Sequence, residues 1–249
     1  MKQLLVLLIF AVSTLAIADD FSATADKIRA AMASDIRGEA DTVRDANRLP
    51  LETLEFFGLR DDMKIVELIP GGGWYTKILA PVMSEKGEFY VALGTDGVKA
   101  ALTGKPGFEH MHIVAEDSKI SRPEGADRYG LETNGLGVTG ADMVLTFRNY
   151  HNFDHEGRMA MNKAVYDALK TGGIYAVVDH TRRHMEADNY ENQRRVDPVL
   201  AIKEIQASGF ELVDYSDLHF RPDDELRYEV GRHTVTGNTD RFTLKFVKK

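Results

Sequence analysis

Residues 65–76 read Ile65-Val66-Glu67-Leu68-Ile69-Pro70-Gly71-Gly72-Gly73-Trp74-Tyr75-Thr76. An apolar run from Met63 to Ile69 has the length of a buried strand, and Trp74 to Met83 has the spacing of a helix. Between them stands a Pro-Gly-Gly-Gly turn, with the acidic Glu67 just before it. Glycines in such a turn allow positive φ and let a ligand approach the backbone closely. The helix that follows offers unpaired N–H groups and the positive end of its dipole. The stretch is not a P-loop, because no Gly-Lys-Ser/Thr follows, and it lacks the G-x-G-x-x-G order of a dinucleotide fingerprint.

Downstream of this turn, strands and helices alternate. Gly87 to Leu93, His110 to Ala115, Asp142 to Phe147 and Ile174 to Val178 read as strands. Gly157 to Leu169 and Val196 to Ser208 read as helices, the first ending in Thr171-Gly172-Gly173 and the second in Gly209. Phe210 to Leu218 and Asp240 to Val247 read as two last strands with no helix between them. The expectation is an α/β fold with a doubly wound, mostly parallel sheet and an antiparallel C-terminal edge hairpin. The connection over 219–239 is long and polar, as a surface loop would be. Residues 19–62 form a helical segment ahead of the α/β domain of 63–249. Ile28, Met32 and Ile36 recur at helical spacing, Leu49-Pro50 breaks the run, and a short helix from Leu51 to Phe57 ends at Gly58.

The first residues, MKQLLVLLIFAVSTLAIADD, have the pattern of a secretory signal peptide. Lys2 supplies the charge, Leu4 to Ile17 the apolar run, and Ala16-Ile17-Ala18 the cleavage signature. The run is short for a membrane span and stops at Asp19-Asp20. Residues 1–18 are therefore expected to be removed on export, with the bacterial periplasm as destination and no integral membrane segment left afterwards. The chain has no cysteine, which excludes disulfides, thiolate catalysis and cysteine zinc sites. Its formal charge of −8 argues against nucleic acid as a partner, since phosphate binding needs clustered cations. A small-molecule substrate is the expected partner; nothing in the sequence speaks to oligomeric state.

Two strand ends carry polar residues. Asp142 to Phe147 runs into Arg148-Asn149-Tyr150-His151-Asn152, and Val177-Val178 runs into Asp179-His180. In a doubly wound sheet both ends face the crevice beside the glycine turn. His151 is a candidate general base, with Asp179 or His180 orienting the substrate or sharing the proton. Arg148 is a candidate for binding a carboxylate or phosphate, and Asn149 completes the cluster. Hydrogen bonding to loop backbone is the other use open to His151 and Asn152. No metal is expected: His180 and His184 are four apart, but Arg182 and Arg183 between them disfavour a divalent cation. Tyr190, Arg194 and Arg195 lie in a polar segment placed to close over a substrate.

Glu67 to Gly73 resembles motif I of the class I S-adenosylmethionine (SAM)-dependent methyltransferases, an acidic residue followed by three spaced glycines. Gly71 and Gly73 take the second and third glycine places, and Ile69 stands at the first. More narrowly, the chain is similar to a family of exported methyltransferases. The shared motifs are Arg48-Leu49-Pro50, Phe56-Phe57-Gly58, Pro70 to Thr76, Arg148 to Asn152 and Gly172 to His180. The resemblance implies a Rossmann-like methyltransferase fold, SAM as cofactor, and transfer of its methyl group to a small-molecule or envelope acceptor. It implies cofactor contacts from Glu67, Gly71, Gly72, Gly73, Trp74 and Tyr75. It also implies an acidic residue at the end of strand two for the ribose hydroxyls. Leu93 falls at that place, with Asp96 three residues on. Asp117 is the corresponding candidate for the adenine region. Ile69, Leu93 and export away from the cytoplasm leave a second reading open: an exported enzyme of another class, or a small-ligand binding protein, on the same fold.

Overall fold

The computed structural model describes residues 20–249, so the leader-like segment 1–18 lies outside the described residues. Four helices come first: α1 (Asp20–Met32), α2 (Glu39–Thr42), α3 (Asp45–Arg48) and α4 (Pro50–Phe57). Pro50 opens α4 at the position where its missing N–H costs nothing. Gly58 closes the helix at φ 76°. The α/β part follows as β1 (Lys64–Leu68), α5 (Thr76–Met83), β2 (Glu88–Ala92), α6 (Asp96–Leu102), β3 (Met111–Val114), β4 (Lys119–Ser121), β5 (Gly130–Glu132), β6 (Ala141–Phe147), α7 (His155–Ala168), β7 (Leu169–His180), α8 (Pro198–Ala207), β8 (Phe210–Ser216) and β9 (Arg241–Lys248).

The sheet order is β3-β2-β1-β6-β7-β9-β8, with β4 and β5 forming a separate small hairpin. The first five strands are parallel, and β9 runs antiparallel to both β7 and β8. The expected C-terminal hairpin is therefore present at the sheet edge, with β9 as its inner strand.

Side chains alternate across each strand, which splits the core into two layers. Ile65, Met143, Leu145, Ala176 and Val178 face one layer with Ile28, Leu54, Ile78 and Val98 from the helices. Val66, Val144, Tyr175 and Val177 face the other with Met161, Val165, Ala201 and Ile205. Thus α1, α4, α5 and α6 cover one face and α7 and α8 the other. Because both faces are covered, the inner strands read as unbroken apolar runs. Asp154 caps α7 by accepting from Gly157 N at 2.7 Å, and Asp197 caps α8 by accepting from Val199 N at 2.9 Å. Among the described residues no helix is long and apolar enough to cross a membrane.

Residues 219–239 do more than the sequence suggests. They carry the buried His219, Asp224 and Thr239 back over the carboxyl ends of the strands. The reason is a buried ion pair: Arg195 donates to both Asp224 oxygens at 2.9 and 3.0 Å, and both residues are fully buried.

Candidate active site

Strand order reverses between β1 and β6. Chain segments leaving two such strands diverge to opposite faces and open a crevice. A cavity of about 590 Å³ lies there. Glu67 to Gly72 form one wall, and Phe147, Arg148, Asn149, His151 and His180 form the facing one. Residues from α2 and α3, and the stretch from Val230 to Arg241, close the remainder.

The glycines have separate tasks. A Cβ on Gly71 or Gly72 would meet no atom within 4 Å, so that backbone is open to a ligand. At Gly73 (φ 84°) a Cβ would stand 2.8 Å from Leu102 Cδ1, so this glycine lets α6 pack against the turn and does not line the cavity. Ile69 occupies the first glycine's place at φ 49°, a conformation free to glycine and costly to a β-branched residue, on the order of 1–3 kcal/mol. Its N–H is anchored on Ala92 O at 2.9 Å. The residues leaving β2, β3 and β6 behave alike: Leu93, Ala115 and Arg148 have φ of 62°, 54° and 62°.

Glu67 is buried beneath the turn and accepts from Thr76 Oγ1 at 2.6 Å. Burial pushes its carboxyl up from 4.5 to about 7, against the Thr76 hydrogen bond and the charge of Arg48. The folded chain therefore holds a proton that the unfolded chain releases. This contribution is complete below about pH 4.5 and is lost as pH rises through about 7. Each tenfold change in proton affinity is worth about 1.4 kcal/mol, so Glu67→Gln is expected to gain roughly 3 kcal/mol over the parent at pH 8 and little at pH 4.5. Urea denaturation of both proteins at the two pH values measures the difference. Equal differences at both would refute a neutral buried Glu67.

The polar strand ends converge as the sequence implies. Asp179 is fully buried and gathers three donors: His151 Nδ1 at 2.5 Å, His151 N at 3.0 Å and His180 N at 2.6 Å. A carboxylate only accepts, so His151 Nδ1 is the donor in this hydrogen bond and Nε2 is the ring nitrogen it leaves free. The His180 ring lies 5.5 Å from that of His151, and its Nδ1 pairs with Thr239 Oγ1 at 2.9 Å. Burial, reinforced by His151 and three arginines, holds His180 well below 6.5, hence neutral. The Asn149 amide donates to the carbonyls of Ile69 and Phe147 at 3.1 and 3.2 Å. It clamps the end of β1 to the end of β6. Tyr75 stacks on Phe147 with centroids 3.6 Å apart, and Trp74 Nε1 donates to Asp41 O at 3.0 Å. Both rings line the cavity.

Besides Gly73, two expected cofactor contacts are not brought to this cavity. Asp96 is exposed at the start of α6, and exposed Asp117 accepts from Asn134 Nδ2 at 3.1 Å. At the end of β2 it is Leu93, fully buried, that holds the place expected of an acidic residue, and Asp96 three residues on faces solvent. Of the polar segment before α8, Arg194 lines the cavity, Arg195 is the partner of Asp224, and Tyr190 is exposed. Sequence reading missed Arg48 and Arg241 as cavity residues. Arg48 stands in the shared Arg48-Leu49-Pro50 motif but carries no role there, and nothing marks Arg241; the two arrive from opposite ends of the chain. Among the described residues no group of three or more histidines, aspartates or glutamates is arranged to hold a metal ion.

No protein-family model matches the chain, and no curated protein matches it in sequence. Solved structures do match in shape. A SAM-dependent methyltransferase from Aquifex aeolicus superposes with a TM-score of 0.58 at 13% identity, over 90% of this chain and 98% of the other. The fold is that of the class I SAM-dependent methyltransferases. The [4+2]-cyclase SpnF matches with a TM-score of 0.56 at 16% identity, covering 87% and 85% of the two chains. The glycopeptide N-methyltransferase MtfA, complexed with sinefungin, matches with a TM-score of 0.52 at 14% identity, covering 82% and 87%. At these identities the likeness concerns architecture. SpnF illustrates that one fold hosts more than one reaction class.

Proposed function

We propose that this chain is a methyltransferase that binds SAM along the glycine turn and transfers its methyl group to a small molecule held in the cavity. The observation that carries the reading is the open backbone at Gly71 and Gly72, directly opposite the Asp179–His151 pair in one crevice. The turn fits the cofactor because a side chain at either glycine would occupy the space a ligand needs. Gly71, Gly72 and Glu67 would hold its polar end. When bound, SAM supplies an electrophilic methyl group on a positively charged sulfur.

The protein's part is positioning and proton removal. Asp179 fixes the His151 ring through Nδ1, which leaves Nε2 to take a proton from the acceptor's nucleophile. Neutral His180, held by Thr239, lines the same wall and orients the acceptor. Asn149 contributes by fixing the two strand ends rather than by touching the acceptor.

Leu93 favours a second reading, an enzyme of another reaction class on this fold. It supplies no acceptor for ribose hydroxyls, and Asp96 does not replace one. Calorimetric titration with SAM separates the two. Saturable binding by the wild-type chain, weakened in Gly72→Val, is expected; no heat at millimolar SAM would leave the second reading standing.

A further inference from the structure

The chain carries a formal charge of −8, yet its cavity is lined by Arg44, Arg48, Arg148, Arg194 and Arg241 against two acidic residues. Both acids are already engaged. Asp41 pairs with Lys77 at 2.6 Å, and Glu67 accepts from Thr76. Arg194 pairs with Glu229. Arg48, Arg148 and Arg241 form no ion pair among the described residues.

Elsewhere the fold treats buried arginines differently. Arg37 is matched by Asp45, Arg158 by Glu204 and Arg195 by Asp224. Burying a cation without its counter-charge is expensive, so two buried arginines with the half-buried Arg148 beside them call for an explanation. Arg48 is 3% exposed, and its Nη1 has no hydrogen-bond partner. It is held in place by stacking 4.2 Å above Trp74, and its carbonyl accepts from His219 Nε2 at 3.0 Å. Arg241 is 6% exposed; its Nη1 donates to Asn47 O at 2.8 Å and its Nε is unpartnered. Arg148 leaves β6 in the left-handed conformation with only its backbone N–H anchored, on Val178 O at 2.7 Å. Asp179, whose charge also acts on Arg148, is spent on His151 and His180. Burial, and after it their mutual repulsion, lowers Arg48 to about 9 and Arg241 to about 10.

The geometry points to an oxyanion group, a carboxylate or a phosphate, bound by Arg48, Arg148 and Arg241 beside His151. This rests on the methyltransferase reading and deepens it: the acceptor is an anionic small molecule. The guanidinium groups supply the unpartnered donors, and the anion supplies the missing counter-charge. His151 then faces a neighbouring nucleophile on the same molecule.

The test uses the whole chain and two probes, inorganic phosphate and succinate, each titrated against chloride at matched ionic strength. Thermal melting and calorimetry are the readouts. Saturable stabilisation by either probe supports the site, and the preferred probe separates phosphate from carboxylate. Arg148→Gln removes one donor set without breaking any hydrogen bond, so it is expected to fold and to bind the preferred probe at least roughly tenfold more weakly. No stabilisation beyond the chloride control overturns the proposal, as does unchanged affinity in folded Arg148→Gln. A parallel SAM titration keeps the readings distinct. SAM binding without anion binding refutes the anion site alone; anion binding without SAM binding refutes the methyltransferase reading alone.

Discussion

Asp224→Ala is expected to destabilise the protein by about 3–5 kcal/mol, the usual cost of stripping one partner from a buried ion pair. The loss falls on several groups together. Arg195 is fully buried and would keep its charge with only the carbonyls of Thr181 and Tyr228 at 3.0 Å as acceptors. The backbone N–H groups of Asp240 and Leu226, which donate to Asp224 at 2.7 and 3.0 Å, would lose their acceptor. Against a total stability on the order of 5–15 kcal/mol, this is a large fraction. Urea denaturation checks it: the midpoint should fall with little change in slope. A loss under about 1 kcal/mol would mean that the pair is not buried as described. Arg195→Met combined with Asp224→Leu should recover part of the loss, because no charge is then left unmatched.

The second large effect is chemical. On the proposed methyltransferase function, Asp179→Asn is expected to lower turnover by roughly 10²–10⁴-fold, the range that a positioned general base contributes. Asparagine offers one acceptor oxygen where the carboxylate now serves three donors. If its amide turns its NH₂ toward His151, the ring must accept at Nδ1 and carry its proton on Nε2, where it no longer acts as a base. A stability loss of about 1–3 kcal/mol should accompany this, since a buried backbone N–H loses its acceptor. The discriminating measurement is SAM affinity in the same variant. Affinity within about twofold of wild type, with turnover collapsed, assigns the loss to the base. Turnover that survives the substitution removes His151 from that role.

Much of the architecture is legible in the sequence because apolar runs and glycine turns are local signals. The strand read at 63–69 is β1 at Lys64–Leu68, and the helix read at 157–169 is α7 at His155–Ala168. Helix α6 went unseen because Gly97 weakens its pattern. The glycine is there for a tertiary reason: a Cβ on it would stand 2.6 Å from the Gly71 carbonyl oxygen. The β4–β5 hairpin has strands of three residues each, too short for alternation to register. The site divides in the same way. His151, Asp179 and His180 are legible because they terminate apolar strands, and topology sends strand ends to one crevice. Arg48 and Arg241 are not, because their meeting depends on how α3 and the start of β9 fold over the crevice. Asp96 and Asp117 rest on the family resemblance alone, and both are exposed, outside the cavity lining.

Trp74 is the sole tryptophan of the chain, and its ring carries the guanidinium groups of Arg48 and Arg37 at 4.2 and 4.9 Å from its centroid. An indole excited state is more polar than its ground state, so nearby cations tune its colour. Red-edge excitation, where tyrosine is dark, therefore yields emission from one wall of the cavity and nowhere else in the molecule. The protein carries its own optical gauge: any occupant that shifts either arginine or sheds water from this wall changes the spectrum without a label.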